Sequence, residues 1–173
     1  MKTAARLIAA SLALAALSGC GLRPLYGGGT RGPVQSMLSG VEVAPIPGEA
    51  GWLVSNAVRD RIEATRGGTP VYRLDIKLDD RIEGLGIRAD DVVTRQRRTL
   101  RARYQLVEMA TGQVVLDATA GSDAGIDVAG SEYATIAAER TALERLSGII
   151  ADQIVARLAR YALADKAAPA SEQ

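Results

Sequence analysis

The chain contains no histidine and no phenylalanine, and it has one cysteine and one tryptophan. Each absence closes a route. Without histidine, the commonest general base and the commonest metal ligand are missing. With Cys20 as the only cysteine, no disulfide forms within the chain. Aromatic residues make up 3% of the sequence, so the core must be aliphatic, built from Leu, Ile, Val and Ala. Neither sign of charge dominates. Basic residues number 21 and acidic residues 20, so no global field draws the chain to nucleic acid. Long apolar runs are lacking too. The run Leu7 to Leu17 is shorter than the ~20 residues a helix needs to span ~30 Å of hydrocarbon.

That short run is the first thing present that matters. Lys2 and Arg6 precede it, and Leu17-Ser18-Gly19-Cys20 closes it. A basic start, an apolar middle and small residues before a cut make an export leader. A cysteine directly behind Ser18 and Gly19 makes it a lipoprotein leader. The expectation is cleavage before Cys20 and a diacylglycerol on its thiol, with residues 1–19 serving as address. Two or three acyl chains, at ~0.8 kcal/mol per buried methylene, anchor stably where one chain is marginal. An ordinary secretory leader would instead leave a free thiol on an exported protein. Loss of Lys2 and Arg6 takes the net charge from +1 to −1.

Residues 20–40, rich in Gly27-Gly28-Gly29, Gly32-Pro33 and Ser36, are expected to form a flexible or irregular tether. Residues 41–164 are expected to form one domain, and 165–173 a disordered tail. Within the domain, Val41 to Ile46 is a short apolar run closed by Pro45 and Pro47, as in an edge strand. Gly48 to Arg66 has Val54, Val58 and Ile62 at helical spacing, and Gly67-Gly68 to stop it. Trp52 is expected as a partly buried staple at its start. Val71 to Arg81 alternates Tyr72, Leu74, Ile76 and Leu78 with Arg73, Asp75, Lys77 and Asp79, a strand with one apolar and one wet face. Glu83 to Asp91 is expected as a loop or bulged hairpin. Val92 to Glu108 and Gln113 to Ser122 make a hairpin about Ala110-Thr111-Gly112, and Gly121 to Gly130 a loop. Ser131 to Ala164 is a long helix with an apolar stripe of Ile136, Leu143, Leu146, Ile150, Ile154, Leu158 and Tyr161. The order strand, helix, three strands, helix predicts an α+β fold. Two helices pack on one face of a four-stranded, mostly antiparallel sheet.

Several segments resemble one family. Cys20-Gly21-Leu22-Arg23-Pro24-Leu25-Tyr26-Gly27 is similar to the mature N-terminus of the LPS-assembly lipoprotein family, LptE. Asn56 to Ile62 resembles its first helix, and Arg103 to Val107 with Thr111 to Val114 its central hairpin. Ala137-Ala138-Glu139 and Ala151 to Ile154 with Arg157-Leu158 resemble its last helix. The resemblance implies an outer-membrane lipoprotein that plugs an LptD-like β-barrel and helps insert lipopolysaccharide into the outer leaflet. It also implies direct lipopolysaccharide binding and no enzyme activity. Gly21 behind the cysteine is compatible with outer-membrane sorting. An α+β domain on a tether fits a general envelope lipoprotein, binding peptidoglycan or another envelope complex, equally well on fold alone. The expected non-protein group is the lipid on Cys20, with no other cofactor.

The candidate contact surface is an arginine cluster. Arg95, Arg97, Arg101 and Arg103 are odd-numbered and in a regular strand project from one face, ~6.6–6.8 Å apart per two-residue step. Arg98 points to the other side or sits in the turn before the strand. Arg95 and Arg97 precede the regular strand and are expected to hang in a loop, which makes them the favoured functional contacts. Guanidinium forks match phosphates and carboxylates bidentately. The stripe therefore suits lipopolysaccharide, an acidic barrel wall, or simply the neighbouring Asp75, Asp79 and Glu83. Asp79-Asp80 and Asp90-Asp91 have no EF-hand spacing. Gly84-x-Gly86 lacks the lysine and helix of a phosphate loop.

Overall fold

The computed structural model describes residues 32–63, 69–87, 93–128 and 130–167. Seven elements follow in order. They are helix α1 (Pro33–Ser39), strand β1 (Val41–Val43), helix α2 (Gly48–Glu63), strands β2 (Tyr72–Ile87), β3 (Val93–Glu108) and β4 (Val114–Asp127), and helix α3 (Glu132–Ala167). The strands form one sheet in the order β1-β2-β3-β4. β1 pairs with β2 in parallel, Val41 opposite Tyr72 and Val43 opposite Leu74. A parallel neighbour needs a crossover, and α2 supplies it. β2, β3 and β4 form an antiparallel meander.

Alternation decides which face is dry. Leu74, Ile76, Leu100, Ala102, Tyr104 and Leu106 turn inward and are buried. β4 adds Leu116, Ala120, Ala124 and Ile126 to the same side. The helices meet this face with Val54, Val58 and Ile62 of α2 and Leu143, Leu146, Ile150, Ile154 and Leu158 of α3. α2 and α3 run side by side in the same direction. Glu49 at the start of α2 pairs with Arg140 (3.8 Å), and Arg61 near its end reaches Asp152 (2.6 Å) and donates to the Gly148 carbonyl (3.1 Å). Small residues at the α3 face, Ser147, Gly148 and Ala151, permit that approach. At ~1.5 Å per residue, α3 is ~54 Å long. Among the described residues, no helix is long and apolar enough to cross a membrane.

The α+β class, the meander and the layering agree with the sequence-based expectation; five details differ. First, a third helix, α1, occupies the last part of the stretch 20–40 expected as a tether. Pro33 fits its first turn, where no N–H is required, and Val34 and Leu38, one turn apart, are each 3% exposed within the core. Two aliphatic residues at i, i+4 were enough to dock one short helix. Second, of the loop or bulged hairpin expected over Glu83 to Asp91, the hairpin is present but its strand portion is longer: β2 continues through Gly84 to Ile87, because β3 pairs with it all the way to Val93. Third, β4 continues to Asp127 through Gly121 and Gly125 for the same reason. Fourth, Trp52 is 62% exposed and staples nothing. Fifth, Ile136 is 56% exposed, since α3 begins a turn before α2 is there to cover it. The leader, Cys20, residues 20–31, Gly67-Gly68, Asp90-Asp91 and residues 168–173 lie outside the described residues.

Candidate functional site: the outer face of the sheet

The face opposite the helices carries the odd-numbered side chains. On β2 these alternate in sign from Arg73 through Asp75, Lys77, Asp79 and Arg81 to Glu83. On β3 they are Arg95, Arg97, Arg101 and Arg103, with Thr99 and Gln105. On β4 they include Asp117, Asp123 and Asp127. All four arginines lie within β3, so Arg95 and Arg97 belong to the regular strand and not to a loop. Strand pairing puts Leu85 opposite Arg95 and Glu83 opposite Arg97, which holds the backbone extended there.

Most of the stripe is neutralised within the sheet, chiefly by β4. Arg103 grips Asp117 with two N–H groups, Nη2 to Oδ2 at 2.8 Å and Nε to Oδ1 at 3.2 Å. Gln105 donates to the same carboxylate at 2.9 Å. These hydrogen bonds, Arg103 first and Gln105 second, hold the Asp117 carboxyl at about 2, below its ordinary 3.8. Arg95 meets Asp127 at 3.1 Å, and Arg97 approaches Asp123 at 3.9 Å without a hydrogen bond. On β2, Arg73 takes Asp75 bidentately and Arg81 takes Asp79 at 2.9 Å. The expected pairing with Asp75, Asp79 and Glu83 therefore has the right kind of partner on the wrong strand. The acids engaged by the outer-face arginines of β3 are Asp117, Asp123 and Asp127, and their shared odd parity was visible once β4 was allowed to run past Ser122.

Arg101 differs from its neighbours. Among the described residues it has no carboxylate within 4.0 Å. Its cross-strand neighbour Asp79 is engaged by Arg81, and its other neighbour is Gly121. The guanidinium lies over that glycine, where an added Cβ would come within 3.1 Å of Nη1. An open depression of about 450 Å³ surrounds it, lined by Lys77, Asp79, Arg101, Arg103, Thr119 and Gly121 among others. Lys77 and Arg101, two cations without a dedicated acid among the described residues, thus share a hollow with a threonine hydroxyl. Lys77 was not singled out in the sequence. It sits opposite Arg103, and only the register reveals that it adds to the stripe.

Arg98 lies on the inner face, as its even number requires. It binds Asp80 through two contacts, Nε to Oδ1 at 2.9 Å and Nη2 to Oδ2 at 2.6 Å. A third N–H donates to the Glu139 carbonyl at 3.0 Å. Its side chain is 12% exposed and that of Asp80 23%. The hydrogen bond to Asp80 raises its pKa further above the ordinary guanidinium value. Arg98 therefore clamps the start of α3 to the sheet and is withdrawn from any external contact surface. Asp79 and Asp80 point to opposite faces and each holds an arginine, so they do not converge on a cation.

Comparison with known proteins adds an independent line. Residues 38–158 match the model of the LptE family, described as lipopolysaccharide-assembly. No sequence among the curated proteins matches the chain significantly. Among solved structures, a lipoprotein candidate from Caulobacter crescentus CB15 superposes with a TM-score of 0.64 at 26% identity, covering 78% of this chain and 98% of that one. Rare lipoprotein B from Shewanella oneidensis gives 0.59 at 10% identity, covering 73% and 96%. An uncharacterized lipoprotein B from Nitrosomonas europaea gives 0.56 at 11% identity, covering 72% and 83%. The last two likenesses speak for the fold alone.

Proposed function

The chain belongs to the LptE family of lipopolysaccharide-assembly proteins, and from that premise we propose that it is the lipid-anchored plug subunit of an LptD-type outer-membrane translocon. In this reading Cys20 carries the acyl chains that hold the domain at the inner leaflet. The folded part enters the lumen of the barrel and takes part in delivering lipopolysaccharide to the outer leaflet. It works by binding and positioning, not by bond chemistry. The observation that carries this reading is the family match, which takes in all four strands, α2 and most of α3.

Charge compensation on the outer face supports a choice among the candidate contacts for anionic sugar phosphates. Arg95, Arg97 and Arg103 each face an aspartate, so a ligand must compete with an existing ion pair. Arg101 has none to break, and Lys77 and Thr119 line the same hollow. A guanidinium presents a planar fork to phosphate, and an ammonium adds a point charge. Lipopolysaccharide contact is therefore assigned first to Arg101 with Lys77, and the acid-paired arginines are secondary.

Photoreactive residues placed at 95, 97, 101 and 103 test this in cells. The expected result is a lipopolysaccharide adduct strongest at 101. Adducts at the other three positions with none at 101 would overturn the assignment. The partner is tested separately by co-purification from outer membranes with a β-barrel protein. A protein that remains monomeric in detergent, and whose depletion leaves surface lipopolysaccharide intact, would favour the general envelope lipoprotein instead.

A further inference from the structure

β4 is the last strand of the sheet, and its outer edge runs unpaired for most of its length among the described residues. One residue is the exception. The Gly121 N–H donates to Gln153 Oε1 at 3.0 Å, and Gln153 Nε2 donates to the Gly121 carbonyl at 3.2 Å. The side-chain amide from α3 thus imitates a single residue of a fifth strand. These two bonds also fix the edge's polarity. Gly121 points its backbone groups away from β3, so by alternation Asp117, Thr119, Asp123, Gly125 and Asp127 do the same.

The edge is selective by charge. The strand VVLDATAGSDAGID carries three aspartates and no base. Pairing with the same strand of a second copy sets like charges close together, which destabilises a sheet. A basic strand is attracted. Asp127 is 86% exposed, and Asp123 touches Arg97 only at 3.9 Å, so both keep lone pairs for a second cation. The β2 edge beyond β1 has no such preference, since Arg73 to Glu83 alternate in sign. On the inner side, Ile149 lies one helical turn before Gln153 and is 38% exposed, beside the space an added strand would enter.

We propose that the β4 edge from Asp123 to Asp127 is a landing strip for an extended segment of another polypeptide. That segment carries Arg or Lys on its outer face and apolar residues on its inner face. Gln153 is the stop that limits how far it extends. This does not rest on the lipopolysaccharide reading: Gln153 and Gly121 border the Arg101 hollow, but Asp123, Asp127 and the edge beyond Gly121 lie outside it.

The test uses the full-length protein in detergent and two synthetic peptides, one alternating arginine and valine, the other glutamate and valine. Amide hydrogen exchange is followed residue by residue. The arginine peptide is expected to slow exchange at Asp123, Gly125 and Asp127 by about tenfold when present at about ten times its Kd, and the glutamate peptide not at all. The variant Asp123→Lys/Asp127→Lys should reverse that preference, and Gln153→Ala should extend protection to Gly121. Equal protection by both peptides, protection by neither, or protection centred on Ile76 and Leu78 of β2 would overturn the proposal. An unprotected Gly121 in Gln153→Ala would overturn the role of Gln153.

Discussion

Replacing Asp80 with alanine strands the Arg98 guanidinium where water scarcely reaches it. In the native protein the Arg98 side chain is 12% exposed, and its three hydrogen bonds go to Asp80 twice and to the Glu139 carbonyl. Losing the carboxylate removes two charge-assisted bonds and leaves one neutral acceptor. Breaking a fully buried pair costs about 3–5 kcal/mol, because the remaining charge is desolvated without compensation. Asp80 keeps 23% exposure, so water partly replaces it and the lower end applies, about 3 kcal/mol. With a urea slope of about 2 kcal/mol/M, that moves the unfolding midpoint down by about 1.5 M. The companion variant Asp80→Leu/Arg98→Met removes both charges and fills the space with apolar atoms. It should unfold within about 1 kcal/mol of the parent. Urea titration followed by circular dichroism measures both. A single variant that loses less than about 1 kcal/mol, or a double variant less stable than the single, would refute the buried-clamp account.

Three further outcomes follow from other parts of the structure. Asp117 titrates at about 2 when folded and 3.8 ordinarily, so the unfolded chain takes up its proton first as pH falls. Its pair with Arg103 should stabilise fully above about pH 4 and lose that contribution towards about pH 2. Urea midpoints across this range should fall less steeply in Arg103→Ala. Leu38 is 3% exposed in α1, so Leu38→Ala should cost about 2–5 kcal/mol; unchanged thermal unfolding would return residues 33–39 to the tether. Gly51→Ala would place Cβ 2.5 Å from the Ile46 carbonyl oxygen, a backbone clash. It should therefore destabilise by at least about 2 kcal/mol despite the ~1 kcal/mol that alanine gains over glycine in a helix, as a melting curve would register.

How much was legible differs by element, for physical reasons. α2, the first part of β2 and the long α3 announce themselves because each buries one face, and burial leaves a period of 3.6 or 2 in the residue order. α1 was hidden: two buried residues among Gly, Pro and Ser form no pattern, and its stability comes from docking against α3. The distal halves of β2 and β4 were hidden too, since Gly84, Gly121 and Gly125 signal turns locally while cross-strand hydrogen bonds hold them extended. Within the arginine cluster, parity alone separated Arg98 from the other four. It could not tell which arginines were already neutralised, because Asp117, Asp123 and Asp127 are distant in the chain.

Sequence order alone determined the aliphatic core, the α+β class and, through parity, the shared face of Arg101 and Arg103. These depend on short-range periodicity and composition, which folding does not alter. The tertiary structure decided that Arg98 is a clamp and that, among the described residues, Arg101 stands without an acid and β4 presents an acidic open edge stopped at Gly121. Charge compensation and edge exposure depend on strand register and on which helix lies overhead, and both come into being only when segments far apart in the chain are brought within a few ångströms.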